Sequence, residues 1–158
     1  RTEVDDRQTR LLSSPSTNPP NGMTDQPQPE RHKHPLLGNR LNYLAPPNLY
    51  IWETEIDVLS LSYLNDHRVW DSIVMPHSAY IEIALAATEE AFESKPKQLT
   101  NLKLYSPLFL SEQDVQKLQV VLMSESDASL SFYLYSYQLN PPTLPQEWKL
   151  YATAQITL

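Results

Sequence analysis

The sequence predicts an α+β domain in which a curved antiparallel sheet wraps one central, buried helix. Three observations lead there. Four separate stretches between Tyr50 and Ile156 alternate apolar and polar residues with a period of two. One stretch, Ser78 to Phe92, is apolar on nearly every face of a helix. The first 33 residues are too polar and proline-rich to join either.

In chain order, residues 1–33 hold five of the 14 prolines (Pro15, Pro19, Pro20, Pro27, Pro29), no aromatic residue, and only Val4, Leu11, Leu12 and Met23 as larger aliphatics. Such a segment buries too little to offset its ordering entropy, so it reads as a disordered, Pro-rich interdomain linker. Its five basic and five acidic residues cancel, so the net charge of -7 rests on residues 34–158, an acidic globular domain. There Tyr50, Trp52, Thr54, Ile56 and Val58 face one way while Glu53, Glu55 and Asp57 face the other, a half-buried strand. From Ser78 to Phe92 a helix of about 15 residues is expected, with Pro76 and Ser78 as start signals and Pro96 as the stop. Because it is apolar all round, it should be buried on all sides. A strand around Leu102–Leu110 carries Pro107, which marks an edge or a bulge. Leu118, Val120 and Leu122 define the next strand. Leu130, Phe132 and Leu134 then oppose Tyr133, Tyr135 and Tyr137, a stripe that lines an acyl channel, forms an outer sheet face or contacts a neighbouring domain. Trp148, Leu150, Ala152, Ala154 and Ile156 close the set. A helix sheathed by such a sheet is a hot-dog fold.

Composition narrows the function. The longest uninterrupted apolar run, Ile83–Ala87, is far short of the roughly 20 residues that span a bilayer, and the N-terminus lacks a signal-peptide core. No membrane partner and a cytoplasmic location are therefore expected. Zero cysteines exclude disulfides, thiolate metal sites and Cys nucleophiles. Net negative charge disfavours nucleic acid. The four histidines have no metal-ligand spacing, and neither a Gly-rich phosphate loop nor a serine nucleophile elbow is present. The chain starts without Met, so a fragment is expected.

The chemistry-bearing stretch is Asp66-His67-Arg68-Val69-Trp70-Asp71-Ser72-Ile73-Val74-Met75-Pro76, leading into the helix. It resembles the H-x-x-x-G-x-x-x-x-P motif of modular polyketide synthase dehydratase domains, with His67 and Pro76 at the right separation. Three further features agree: His34-Pro35-Leu36-Leu37-Gly38 at the domain's opening, Leu64 before Asp66-His67, and Glu82 in the helix. Two positions depart: Asp71 stands where the family has the motif glycine, and His77 where a glycine usually follows the proline.

The resemblance implies that residues 34–158 are the N-terminal half of a double hot-dog dehydratase. Such a domain eliminates water from a 3-hydroxyacyl thioester. It makes His67 the general base, set in a hydrophobic tunnel, and places Asp71, Pro76 and His77 along the wall whose backbone N–H groups orient the thioester carbonyl. An imidazole suits that role because its ordinary pKa of ~6.5 leaves it mostly neutral at pH 7. The partnering acid is an Asp of the second half, in a D-x-x-x-Q or D-x-x-x-H motif that neither Asp114 nor Asp127 matches. The isolated chain should then be inactive or very weak. No cofactor binds directly, since the substrate rides on the phosphopantetheine of an acyl carrier protein. Implied partners are the second hot-dog half, that carrier protein and the neighbouring megasynthase domains, in a homodimeric parent. Carrier docking on so acidic a domain would need a local patch from Arg68, Lys95, Lys97, Lys103 or Lys117. Two alternatives stay open: an isomerase that shifts a double bond with one base, and a noncatalytic docking module. Structural roles compete with functional ones at three positions: His34 as a structural residue, His77 as a surface or capping residue, and Glu82 as either a buried carboxylate or the exposed edge of the helix.

Overall fold

The structure is a computed structural model that describes residues 34–42, 46–138 and 147–158; the expected linker over residues 1–33 lies outside them. Among the described residues nine strands, one α-helix and one 3-10 turn follow in the order β1 (Asn39–Arg40), β2 (Leu49–Ile56), the turn Ser62–Asp66, β3 (Arg68–Val69), β4 (Ser72–Val74), α1 (His77–Phe92), β5 (Gln98–Leu104), β6 (Phe109–Leu110), β7 (Gln116–Ser126), β8 (Ser129–Gln138) and β9 (Lys149–Thr157). Six strands form one antiparallel sheet in the order β1-β2-β7-β8-β9-β5, and β3-β4-β6 form a small second sheet.

Alternation sets the register of the large sheet. Trp52 pairs with Val120, Val120 with Leu134, Leu134 with Ala152, and Ala152 with Leu104, so one row of apolar side chains crosses five strands on one face. A one-residue slip would turn that whole row to the other side. Trp52, Leu118, Val120, Leu122, Leu130, Phe132, Leu134, Ala152 and Ile156 are all buried against the helix residues Ala79, Tyr80, Ile83, Ala84 and Ala87. Tyr133, Tyr135 and Tyr137 alternate with buried neighbours and are only partly covered. They lie on the outer sheet face, Tyr133 and Tyr135 with ring centroids 6.5 Å apart, so they line no channel through the core. Partial burial, with the Tyr133 ring beside it, pushes the Tyr135 phenol upward in pKa.

Three expectations need correction. The helix begins at His77 with Pro76 as its N-cap, ahead of Ser78, and ends at Glu93 in the left-handed region (φ 51), three residues before Pro96. Nor is it buried on all sides. Ile81 and Leu85 are 38% and 39% exposed, on a face shared with exposed Ser78, Glu82 and Glu89, because the sheet wraps the helix from one side only. Thr88 is fully buried, and its hydroxyl donates to the Ala84 carbonyl at 2.7 Å. Finally, the single strand expected over Leu102–Leu110 is two. Strand β5 edges the large sheet with a register shift between Thr100 and Lys103, where Asn101 takes φ 54. Strand β6 joins the small sheet past Pro107, which has no N–H to continue a ladder.

The acids of β2 are more than a solvated fringe. Glu53 lies 2.8 Å from Lys117 Nζ and accepts from Gln119 Nε2 at 2.9 Å across the β2–β7 pair. Burial alone would raise the Glu53 pKa, but the hydrogen bonds from Lys117 and Gln119 and the Lys117 charge outweigh it and hold the carboxyl below its ordinary value. The buried Trp52 indole donates from Nε1 to Glu90 of α1 at 3.0 Å, tying sheet to helix.

Candidate active site

His67 sits where a 3-10 turn runs into a hairpin. The turn is seated by buried Leu64, and the His67 N–H donates to the Leu64 carbonyl at 3.2 Å. Beyond it β3 and β4 pair through Arg68 with Ile73 and Val69 with Ser72, leaving Trp70-Asp71 as a two-residue turn. Such a turn requires a residue at positive φ, and here Trp70 takes it (φ 51) while 94% exposed. The ladder extends one rung past β3, with the Val74 N–H donating to the His67 carbonyl at 3.0 Å.

That rung places the imidazole. His67 Nδ1 lies 2.7 Å from the Val74 carbonyl oxygen. A carbonyl only accepts, so Nδ1 carries the proton, and in the neutral ring the Nε2 lone pair is the free base. Val74 and Met75 are buried, the Met75 N–H donates to the Leu108 carbonyl at 2.9 Å, and β4 pairs with β6, so the carbonyl that orients the ring is fixed to the core. The expectation of a ring set in a tunnel is not met by this chain alone: His67 is an exposed residue.

The remaining expected residues divide. Pro76 lies two residues past Val74 and caps α1; its carbonyl accepts the Ala79 N–H at 3.0 Å. Proline has no side-chain acceptor, so the first-turn N–H groups receive no side-chain cap, and the positive end of the helix dipole faces outward there. His77 is the first helical residue and is exposed. Asp71 stands apart from these, in the exposed turn at the far end of the hairpin from His67, and the left-handed backbone falls on its neighbour Trp70. The Asp71 carbonyl accepts from Arg68 Nη1 at 3.2 Å. The structure thus brings His67, Val74 and Pro76 together and leaves Asp71 outside. Tyr80, one helical turn along, is pushed up to about 12 by burial and by nearby Tyr151, against a bond from the Leu108 backbone, so its phenol stays protonated.

Two features escape a reading of the sequence. The Val74 carbonyl is a backbone group, invisible to any motif. His34 and Glu82 each stand out along the chain, but their pairing at 2.9 Å joins residues 48 apart. The Leu36 N–H donates to His34 Nδ1 at 3.3 Å, so His34 Nε2 carries the proton and donates to the exposed Glu82 carboxylate. Desolvation, with the Glu82 charge second, raises the Tyr63 pKa beside this pair. Of the candidate docking cations, Arg68 pairs with Glu112 at 3.1 Å, Lys117 with Glu53, and Lys97 Nζ donates to the Leu158 carbonyl at 2.8 Å. Lys95 and Lys103 have no partner among the described residues. Among the described residues no three His, Cys, Asp or Glu side chains group to hold a metal ion, and no helix is long and apolar enough to cross a membrane.

One helix wrapped by an antiparallel sheet, with a short hairpin leading into it, is the architecture of a hot-dog fold. Residues 34–137 match the family model described as polyketide synthase dehydratase domain, and the chain belongs to that family, as the N-terminal hot-dog half of such a domain. It is 34% identical over 109 residues to a phenolphthiocerol/phthiocerol polyketide synthase of Mycobacterium tuberculosis, covering 61% of this chain and 5% of that protein. Among solved structures, the dehydratase domain from the CurF module of curacin polyketide synthase superposes with a TM-score of 0.69 at 26% identity, over 80% of this chain and 44% of that one. An inactive mutant of the CurJ dehydratase with a histidine replaced by phenylalanine, in complex with a compound, superposes with a TM-score of 0.68 at 25% identity, over 79% and 42%. The chain therefore spans less than half of these solved dehydratases and about a twentieth of the mycobacterial relative.

Proposed function

We propose that this chain supplies the base half of a dehydratase acting on a 3-hydroxyacyl thioester carried by the phosphopantetheine of an acyl carrier protein. His67 Nε2 takes the proton alpha to the thioester carbonyl. The electron pair left on carbon forms the double bond as the 3-hydroxyl departs, protonated to water by an acid from the second hot-dog half. One observation carries this reading: the Val74 carbonyl at 2.7 Å holds the ring in the tautomer whose outward nitrogen is the base. The inactivity of the CurJ mutant lacking a histidine supports it. The uncapped first turn of α1, after Pro76 and beside His77, is suited to accept the thioester oxygen as enolate charge develops. Asp71, at the hairpin tip, stays clear of the reacting atoms. The exposed strip Ile81 and Leu85 on α1 is the face on which the second half packs, closing the tunnel over His67. Of the candidate docking cations among the described residues, Lys95 and Lys103 are open to an acidic carrier protein, since Arg68, Lys97 and Lys117 are engaged elsewhere.

The test uses the complete dehydratase domain of the parent synthase with a 3-hydroxyacyl thioester. His67→Ala should lower turnover by at least the ~10²-fold of a lost general base, whereas Asp71→Gly should leave it within about threefold. An unchanged rate in His67→Ala rejects the assignment.

A further inference from the structure

The residue after the base has a conspicuous set of bonds. Arg68 is exposed, yet every guanidinium nitrogen is engaged. Nε donates to the Asn65 carbonyl at 3.1 Å, Nη1 to the Asp71 carbonyl at 3.2 Å, and Nη2 both to the Asn65 side chain and to Glu112 Oε1 at 3.1 Å. These partners lie on three different segments: the 3-10 turn before His67, the hairpin turn after it, and the loop that follows β6. In the small sheet Arg68 pairs with Ile73 and Ile73 with Leu110, two residues before Glu112, so the guanidinium straps the edge strand β3 across β4 to the far strand.

That strand needs a strap. His67 belongs to the edge of a three-stranded sheet, joined to β4 by two ladder pairs, one further rung and a turn whose positive φ falls on a tryptophan. A hairpin this short is not stable by itself, and a non-glycine residue in the left-handed region weakens it further. Strand β4 is anchored by β6 and by the Met75–Leu108 bond, but among the described residues no strand pairs with the other edge of β3. Its ties outside the hairpin are the His67 N–H bond to Leu64 and the side-chain bonds of Arg68. The planar fork serves several directions at once, which a lysine ammonium on a flexible stem does not.

We infer that Arg68 is a positioning residue for the base: by strapping β3 to Asn65, Asp71 and Glu112 it keeps His67 Nδ1 on the Val74 carbonyl, and so decides which imidazole nitrogen faces the substrate. This rests on the base role proposed above, and the test separates the two. Long-range proton–nitrogen spectra of the full chain carrying labelled histidine report which ring nitrogen of His67 bears the proton, with His67→Gln assigning the signal. The wild-type ring should be Nδ1-protonated; an Nε2-protonated wild type would overturn the site geometry itself, and the inference with it. In Arg68→Ala the ratio of the two tautomers should shift toward Nε2–H by at least about fivefold, the worth of one neutral hydrogen bond, and Arg68→Lys should recover only part of the shift. Glu112→Gln, which removes the charge and leaves the other three bonds, should shift it in the same direction and less. A plain surface role for Arg68 would move thermal stability without moving the tautomer. An unchanged Nδ1–H ring in folded Arg68→Ala, or in Glu112→Gln should the alanine variant not fold, overturns the inference while leaving the base assignment standing.

Discussion

Replacing Gly38 with alanine tests how the domain's opening segment is seated. Residues His34 to Gly38 form a turn in which the N–H groups of Leu37 and Gly38 donate to the His34 carbonyl at 3.0 and 3.1 Å, and Leu36 and Leu37 are completely buried. Gly38 closes the turn at φ +73, and a Cβ added there would lie 2.4 Å from the Glu53 carbonyl oxygen and 2.5 Å from Thr54 Cβ. The obstacle is backbone of β2, locked in register with β7 through the Glu53–Gln119 pair, so it cannot retreat as a flexible side chain would. The turn must lift instead, drawing Leu36 and Leu37 off the core. Left-handed backbone costs an L-residue about 1–2 kcal/mol, and overpacking adds about 1–3 kcal/mol. The sum, roughly 2–5 kcal/mol, is a large part of a stability of about 5–15 kcal/mol. At about 2–4 °C per kcal/mol for a chain of this size, the midpoint should fall by roughly 4–20 °C. Thermal unfolding followed by circular dichroism measures it. A midpoint within about 2 °C of the parent would refute the close-approach argument.

Other perturbations probe the remaining links. The Glu53 carboxyl is held below its ordinary value of 4.5, so its contribution is whole above that pH and is lost as the pH falls through the lower folded value. Glu53→Gln should therefore lower the melting midpoint at pH 7, and the gap to the parent should narrow on acidification below about pH 4.5; a gap independent of pH contradicts the pairing with Lys117. Trp52→Phe removes the indole donor to Glu90 and should cost about 1.5–3 kcal/mol in denaturant unfolding, the range for a bond to a charged group; a loss under about 0.5 kcal/mol would show the bond to be incidental. The chain by itself should self-associate through the exposed strip of α1, and Ile81→Lys with Leu85→Lys should shift sedimentation toward monomer. A monodisperse parent at high concentration would argue that this face needs no cover.

Legibility followed length and contrast. The strands β2, β7, β8 and β9 are legible because eight or more residues alternate between core and outer surface, and a two-residue period over that length has few competitors. The hairpin of β3 and β4 is not, since two and three residues are too few to show a period. Reading one strand through Pro107 fails because β5 and β6 share apolar content but belong to different sheets. The helix is recognisable but its surroundings are not: Ile81 and Leu85 are as apolar as core residues, and composition does not say what covers them. In the site, His67 and Pro76 are legible as a motif, whereas the same spacing puts weight on Asp71, which the hairpin carries to its tip, away from the imidazole.

From sequence alone came the residue types and their periods: an acidic domain after a proline-rich segment, one apolar helix among alternating strands, and a histidine nine positions before a proline at the helix start. Those follow from local chemistry, because burial and backbone geometry leave their mark residue by residue. Only the tertiary structure decided which imidazole nitrogen is free, that Glu82 answers His34, and that Arg68 reaches three segments at once. Each depends on a backbone carbonyl or a distant side chain brought within hydrogen-bonding range by sheet register, and register is a property of the assembled strands rather than of any one of them.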